Sequence, residues 1–127
     1  MIFVPSKTKQ RSSILAALKN IDQPVTPSEL LNYASINSPG LGIATVYRYL
    51  KRLVASSQVR KIEAVGVPPH YEIIHKKDHR HFFVCYVCEK LSAIKRCYND
   101  FKDLLIDGYK IKSCEVIIYG ECRECST

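Results

Sequence analysis

The sequence predicts an α+β protein in which an N-terminal winged helix-turn-helix, residues 1–72, is followed by a small α/β dimerisation domain, residues 73–127. Three observations lead there. Residues 12–74 hold three apolar stretches of helical period followed by two short strand-like runs. Two Cys-x-x-Cys pairs bracket the last third of the chain. The charge is lopsided: residues 1–68 carry nine Lys or Arg against three acids, a net +6, whereas residues 69–127 carry ten against nine, a net +1.

At 127 residues the chain has the length of one ordinary domain or two very small ones, so its core needs a staple. Hydrophobic residues at 46% and charged residues at 24% exclude a disordered tail. No apolar run approaches the roughly 18 residues of a membrane span, so no membrane partner is expected. The start, Met1 to Lys7, lacks the apolar length and small-residue cleavage site of a signal peptide, and a cytoplasmic location is expected. Thiols stay reduced there, so the six cysteines are expected as metal ligands rather than disulfides.

From Ser12, the residues Ile14, Leu15, Leu18 and Ile21 recur at helical spacing, and the helix ends before Gln23 and Pro24. Thr26 then caps a second helix, with Pro27 at its first position and Glu29 completing a capping box. Leu30, Leu31 and Ala34 form its buried side. Asn37 to Gly42 combines Pro39 with two glycines and reads as a turn. Helical period resumes over Ile43–Leu53, where Val46, Leu50 and Leu53 share one face and Arg48, Lys51 and Arg52 the opposite one. Val59–Val65 and His70–Ile74, flanking Gly66 to Pro69, read as a two-stranded wing.

A third helix with Thr45, Tyr47, Arg48, Lys51 and Arg52 outside can enter the major groove of double-stranded DNA. Its cations then neutralise phosphates, and the Tyr47 ring meets a thymine methyl. Three cations on one helix also suit a solvated surface; helix order, wing and the +6 charge favour DNA.

In the second half, Cys85 and Cys88 with Cys122 and Cys125 offer four thiolates in two tight knuckles, the usual donor set of structural Zn2+. The 33 residues between Cys88 and Cys122 mean that the ion clips the C-terminal end onto an intervening subdomain. That subdomain is expected as a strand over 90–94, a helix over 98–108 with Phe101, Leu104 and Leu105 inward, and a strand over 109–119. So small a set leaves sheet edges and apolar surface uncovered, which predicts a homodimer and hence a two-fold reader of a palindromic operator.

All four histidines, at 70, 75, 79 and 81, precede the first cysteine pair. His79 and His81 alternate along an extended segment and so project from one face. With Glu72 they make a borderline-hard site for a second, regulatory divalent transition metal at the join between the halves. An exposed cluster without a ligand is the alternative.

These residues resemble the ferric uptake regulator (Fur) family of bacterial metal-dependent repressors. Gly42–Leu50 is similar to its recognition-helix signature, His70-Tyr-Glu72 and His79-Arg-His81 to its hinge and histidine motifs, and Cys85-x-x-Cys88 with Gly120 to Cys125 to its paired structural cysteines. The resemblance spans nearly the whole chain. It implies a homodimer, a four-cysteine zinc, and a hinge metal, Fe2+ or Zn2+, that closes the dimer on DNA, with Tyr47 and Arg48 at the positions used for base and phosphate contact. The sequence also departs from the family pattern. Pro24 stands where a hinge histidine is usual, Ala93 where a carboxylate is common, Glu89 where glycine follows the first cysteine pair, and one extra residue separates His81 from Cys85. The hinge ligands that match are Glu72, His79 and His81, with His70 and His75 as candidate recruits. Asp100 matches an acid of a further family site, whose histidine is replaced here by Cys114.

A zinc enzyme needs an open coordination position and a general base, and a four-cysteine site is closed, so neither catalysis nor a small-molecule substrate is expected. The alternative to a repressor is a structural zinc protein that binds RNA or a protein partner without sensing metal. Single-strand readers stack bases on exposed rings, and the rings here are expected mostly at core-spaced positions.

Overall fold

The structure, a computed structural model, describes residues 7–75, 80–94 and 101–126. The chain divides into two compact units, Met1–Lys76 and Lys77–Thr127. No described helix is long and apolar enough to cross a membrane.

The first unit runs α1 (Lys7–Asn20), α2 (Pro27–Ala34), α3 (Ile43–Ala55), β1 (Val59–Ile62) and β2 (His70–Ile73). The first helix starts at Lys7, well before the expected Ser12, because the polar residues 7–11 extend it without needing burial. Thr26 Oγ1 accepts from the Glu29 amide at 3.2 Å while Glu29 Oε1 accepts from the Thr26 amide at 3.0 Å, so the capping box closes as the sequence implies. Three apolar stripes meet in one core, with Ile14 and Leu18 from α1, Leu30 and Ala34 from α2, and Val46, Leu50 and Leu53 from α3. Each fully buried aliphatic side chain contributes about 1.5–3 kcal/mol, and this burial turns the opposite face of α3 outward.

Strands β1 and β2 pair antiparallel, with Val59 opposite Ile73 and Arg60 opposite Glu72. Val25, in the connection between α1 and α2, exchanges two backbone hydrogen bonds with Tyr71, at 2.9 and 2.7 Å. The wing is thereby fastened to the helices. The C-terminal end of α3 closes with bonds from Ser57 to the Val54 carbonyl and from Gln58 to the Leu53 carbonyl, Ser57 taking a φ of 61°.

The second unit is a three-stranded sheet in the order β4-β3-β5, built from β3 (Phe82–Cys85), β4 (Leu91–Ala93) and β5 (Ile117–Gly120). Strand β3 pairs antiparallel with β4 and parallel with β5. Two expectations are corrected here. The helix expected over 98–108 is, among the described residues, a 3-10 turn at Phe101–Leu104, and Leu104 is 79% exposed instead of inward. Leu105 is exposed as well. The strand expected over 109–119 pairs only at Ile117–Gly120, because its partner β3 is four residues long. Residues 98–100 of the expected helix lie outside the described residues.

Candidate metal centre and nucleic-acid interface

The cysteine cluster is assembled by the parallel pairing. Cys85 ends β3 opposite Gly120 at the end of β5, so Cys122 follows two residues beyond the point where the strands meet. Gly120 eases that approach: a Cβ there would lie 3.1 Å from the Phe83 ring, tighter than nine in ten real Cβ contacts, so the ring would have to give by a few tenths of an ångström. The Tyr86 hydroxyl donates to Glu121 Oε1 at 2.6 Å, fastening the first knuckle to the second.

The four sulfur atoms of Cys85, Cys88, Cys122 and Cys125 lie within 4.8 Å of one another. A tetrahedral zinc with Zn–S near 2.3 Å requires sulfurs about 3.8 Å apart. Cys88 Sγ and Cys122 Sγ are 3.8 Å apart, so the donor set fits the ion. Among the described residues these cysteines are the one group of three or more His, Cys, Asp or Glu side chains gathered at ligating distance.

The backbone prepares this charge. Cys85, which is buried, accepts from the amides of Cys88 at 3.5 Å and Cys122 at 3.3 Å, and these bonds pull its thiol down to about 6. Cys125 is pushed up to about 12, first by its hydrogen bond with Cys122 and then by burial. Four adjacent thiolates repel one another, and a dication in their midst resolves that conflict. Glu89 follows the first pair with φ at 64°, in the left-handed region that glycine adopts without strain.

The hinge candidates are distributed over both units. Glu72 is buried in the first unit, and its Oε1 lies 2.5 Å from Arg60 Nη1 across the wing. Arg60 is a neighbour of this candidate that sequence reading missed; the cross-strand register between β1 and β2 is the signal that finds it. His70 is buried, and its Nδ1–H donates to the Pro68 carbonyl at 2.7 Å, which leaves Nε2 as the acceptor nitrogen. His75 is exposed. His81, in the second unit, is buried and meets the Phe101 ring edge-on at 5.8 Å. Cys114 is half-buried in the second unit. His79 and Asp100 lie outside the described residues. Pro24 is buried next to the Val25 bridge, and Ala93 ends β4.

On the third helix, Tyr47, Arg48, Lys51 and Arg52 are exposed and Thr45 is half-buried. Arg48 Nη2 donates to Thr45 Oγ1 at 3.1 Å, which orders the guanidinium on the outer face. Between α3 and the wing, Tyr47, Lys51, Val54, Lys61, Pro69 and Tyr71 line a shallow groove of about 460 Å³ with an apolar floor and a cationic rim. The aromatic expectation is corrected: Tyr33, Tyr47, Tyr86, Tyr109 and Tyr119 are all exposed, Tyr33 and Tyr47 on the outer faces of helices, Tyr119 on β5, and Tyr86 and Tyr109 outside any helix or strand. Of these five, only Tyr47 lines that cationic groove.

The model of the Ferric uptake regulator family matches residues 6–119. The ferric uptake regulation protein of Campylobacter jejuni is 32% identical over 124 residues, which cover 94% of this chain and 78% of that protein. The fold is shared with the ferric uptake regulator of Helicobacter pylori, described as having three functional metal-binding sites, at a TM-score of 0.81 and 21% identity over 98% of this chain and 83% of that one. It is also shared with the iron-containing ferric uptake regulator of Francisella tularensis, at a TM-score of 0.80 and 21% identity over 100% of this chain and 98% of that one. A knuckle-paired four-sulfur cluster, a cationic third helix beside a wing and a family match over nearly the whole chain converge, and the chain belongs to the Ferric uptake regulator family of metal-responsive transcriptional regulators.

Proposed function

We propose that the protein is a repressor that acts as a homodimer on a palindromic double-stranded DNA operator when a divalent metal occupies the hinge. The observation that carries this reading is the two-faced third helix, aliphatic toward the core and bearing Tyr47, Arg48, Lys51 and Arg52 outward beside a wing. In this reading residues 1–72 read DNA and residues 73–127 dimerise. Arg48, Lys51 and Arg52 neutralise phosphates, and Tyr47 reads a base edge.

The homodimer is supported by the second unit's open sheet edges and its exposed Leu104, Ile106, Tyr109, Ile118 and Tyr119, an apolar surface that a lone subunit leaves in water. Two such subunits place two recognition helices on successive half-sites. Zn2+ held by Cys85, Cys88, Cys122 and Cys125 supplies folding energy to a unit with a small core.

For the sensor we propose Glu72, His79 and His81, with His70 or His75 as further ligands and Fe2+ or Zn2+ as the ion. A bound ion shared between Glu72 of the first unit and the histidines of the second restricts the join, and a coupling of about 1–3 kcal/mol gives roughly 5–150-fold tighter DNA binding. The test is His79→Ala combined with His81→Ala, with DNA affinity measured with and without added Fe2+, Zn2+ or Mn2+ while the four-cysteine zinc is retained. Loss of the metal-dependent gain is expected. An unchanged gain removes the hinge site from the mechanism and directs attention to Asp100 and Cys114.

A further inference from the structure

Side chains are buried on both faces of the wing. Val59 and Tyr71 belong to the aliphatic core of the first unit, and Ile73 packs against it. Because side chains alternate along a strand, Arg60 and Ile62 on β1 share the other face with His70 and Glu72 on β2. Ile62, His70 and Glu72 are buried as well. A carboxylate so placed stays ionised when a cation or hydrogen-bond donors compensate its charge. Arg60 supplies a cation: it stands directly opposite Glu72 in the ladder, with 23% of its own side chain and 8% of the Glu72 side chain exposed.

This setting suits a divalent ion in one respect and opposes it in another. Glu72 is kept as a charged oxygen donor where a cation is already welcome, and His70, on the same face, offers Nε2 because its Nδ1 donates to the Pro68 carbonyl. The guanidinium, however, holds the carboxylate that an ion would take. A dication on that carboxylate would stand within a few ångströms of a positive charge that cannot be titrated away.

We infer that Arg60 is a specificity-determining residue of the hinge, an internal cation that holds Glu72 in the metal-free protein and selects among divalent ions by how far each depends on carboxylate oxygen. The inference rests on the proposed role of Glu72 as a hinge ligand. An ion that takes Glu72 must part it from Arg60, and the charge-assisted bond resists that. Mn2+ favours carboxylate oxygen and lies at the weak end of the affinity order, so it bears the whole of this cost. Zn2+ binds well through imidazole and can forgo the carboxylate, so it bears less. Arg60 thereby keeps Mn2+ off the site at concentrations at which Zn2+ occupies it. An arginine that only supports the wing would change the binding of both ions alike.

The experiment uses the full-length chain with its four-cysteine zinc in place and compares Arg60→Met, Arg60→Gln, Arg60→Lys and Glu72→Gln with the parent protein. Mn2+ binding is read from the electron paramagnetic resonance of the free ion, and binding of further Zn2+ from competition with a chromophoric chelator. Arg60→Met is expected to bind Mn2+ about tenfold more tightly, the equivalent of one hydrogen bond to a charged group, and to gain clearly less for Zn2+. Arg60→Lys keeps a cation and is expected to keep most of the parent's preference. Arg60→Gln leaves a neutral donor opposite the carboxylate and covers the case in which Arg60→Met disturbs the wing; the same narrowing between the two ions is expected of it.

If Glu72→Gln weakens Mn2+ binding while both neutral Arg60 variants keep the parent's preference, or weaken both ions equally, Glu72 stands as a ligand and the selecting role of Arg60 is overturned. If Glu72→Gln leaves both ions bound as before, Glu72 is no ligand, and the hinge reading fails together with the inference. Uptake of Mn2+ by Arg60→Met where the parent takes up none supports the inference, and uptake by neither overturns it.

Discussion

Arg60 Nη1 and Glu72 Oε1 face each other at 2.5 Å across the wing, at directly opposed positions of the β1–β2 ladder. The carboxylate proposed as a hinge ligand is therefore already engaged by a guanidinium, and a metal must compete with that cation for it. Arg60→Ala removes one charged partner from a buried carboxylate, so we expect a loss of about 1–3 kcal/mol in metal-free stability. Added divalent metal is expected to recover most of that loss, because the ion takes over the charge. Denaturant unfolding with and without metal reads both; a loss of equal size in both conditions removes Glu72 from the metal site.

Zinc uptake is expected to depend on pH in two steps. Cys125, pushed up to about 12, carries a proton at neutral pH and gives it up when the ion binds. Cys85, pulled down to about 6, is a thiolate above that pH and gives up none. Affinity therefore rises with pH, and the slope of log K against pH should steepen by about one proton as pH falls through 6, where Cys85 also becomes protonated. Competition with a chromophoric chelator measures the slope, and one that stays constant through pH 6 contradicts the assignment.

Cys88→Ser should abolish zinc retention and, with it, the dimer, because the second unit has little core with which to replace the lost binding energy. Metal analysis and sedimentation on the same sample check this. A folded, dimeric and fully zinc-loaded variant overturns it.

Tyr47 and Arg48 should separate by readout. Arg48→Ala is expected to weaken all duplexes similarly and to reduce the salt slope by about one unit. Tyr47→Ala is expected to cost roughly 1–3 kcal/mol on the operator and little on unrelated duplexes. Operator preference that survives loss of Tyr47 refutes the division.

Glu89 holds a φ of 64° at the end of the first knuckle. A non-glycine residue there costs roughly 1–2 kcal/mol, and glycine's greater freedom in the unfolded chain returns part of that. Glu89→Gly is thus expected to stabilise the zinc-loaded protein by about 0.5–1 kcal/mol, with Glu89→Ala as a control that keeps the strain. Equal denaturation midpoints for the two variants remove strain as the explanation.

Where a short range of chain decides the outcome, the sequence sufficed. The Thr26–Glu29 capping box, the stripe of Val46, Leu50 and Leu53, and the pairing of Val59–Ile62 with His70–Ile73 all follow from spacings of a few residues and local hydrogen bonding. The convergence of four cysteines was legible for a similar reason, since each Cys-x-x-Cys pair is a local unit and one ion demands two of them.

The tertiary structure alone decided what depends on a partner distant in the chain. The strand at Phe82–Cys85 pairs in parallel with Ile117–Gly120, and the shortness of the first limits the second, which no pattern within residues 109–119 reveals. The helix expected around Leu104 failed because helical period reports which residues want burial and not whether anything nearby can bury them. Arg60 meets Glu72 through strand register. Local periodicity is set by bonds within one or two turns of chain. The charge environment of a carboxylate is set by which distant segments the core brings together, and only folding fixes that.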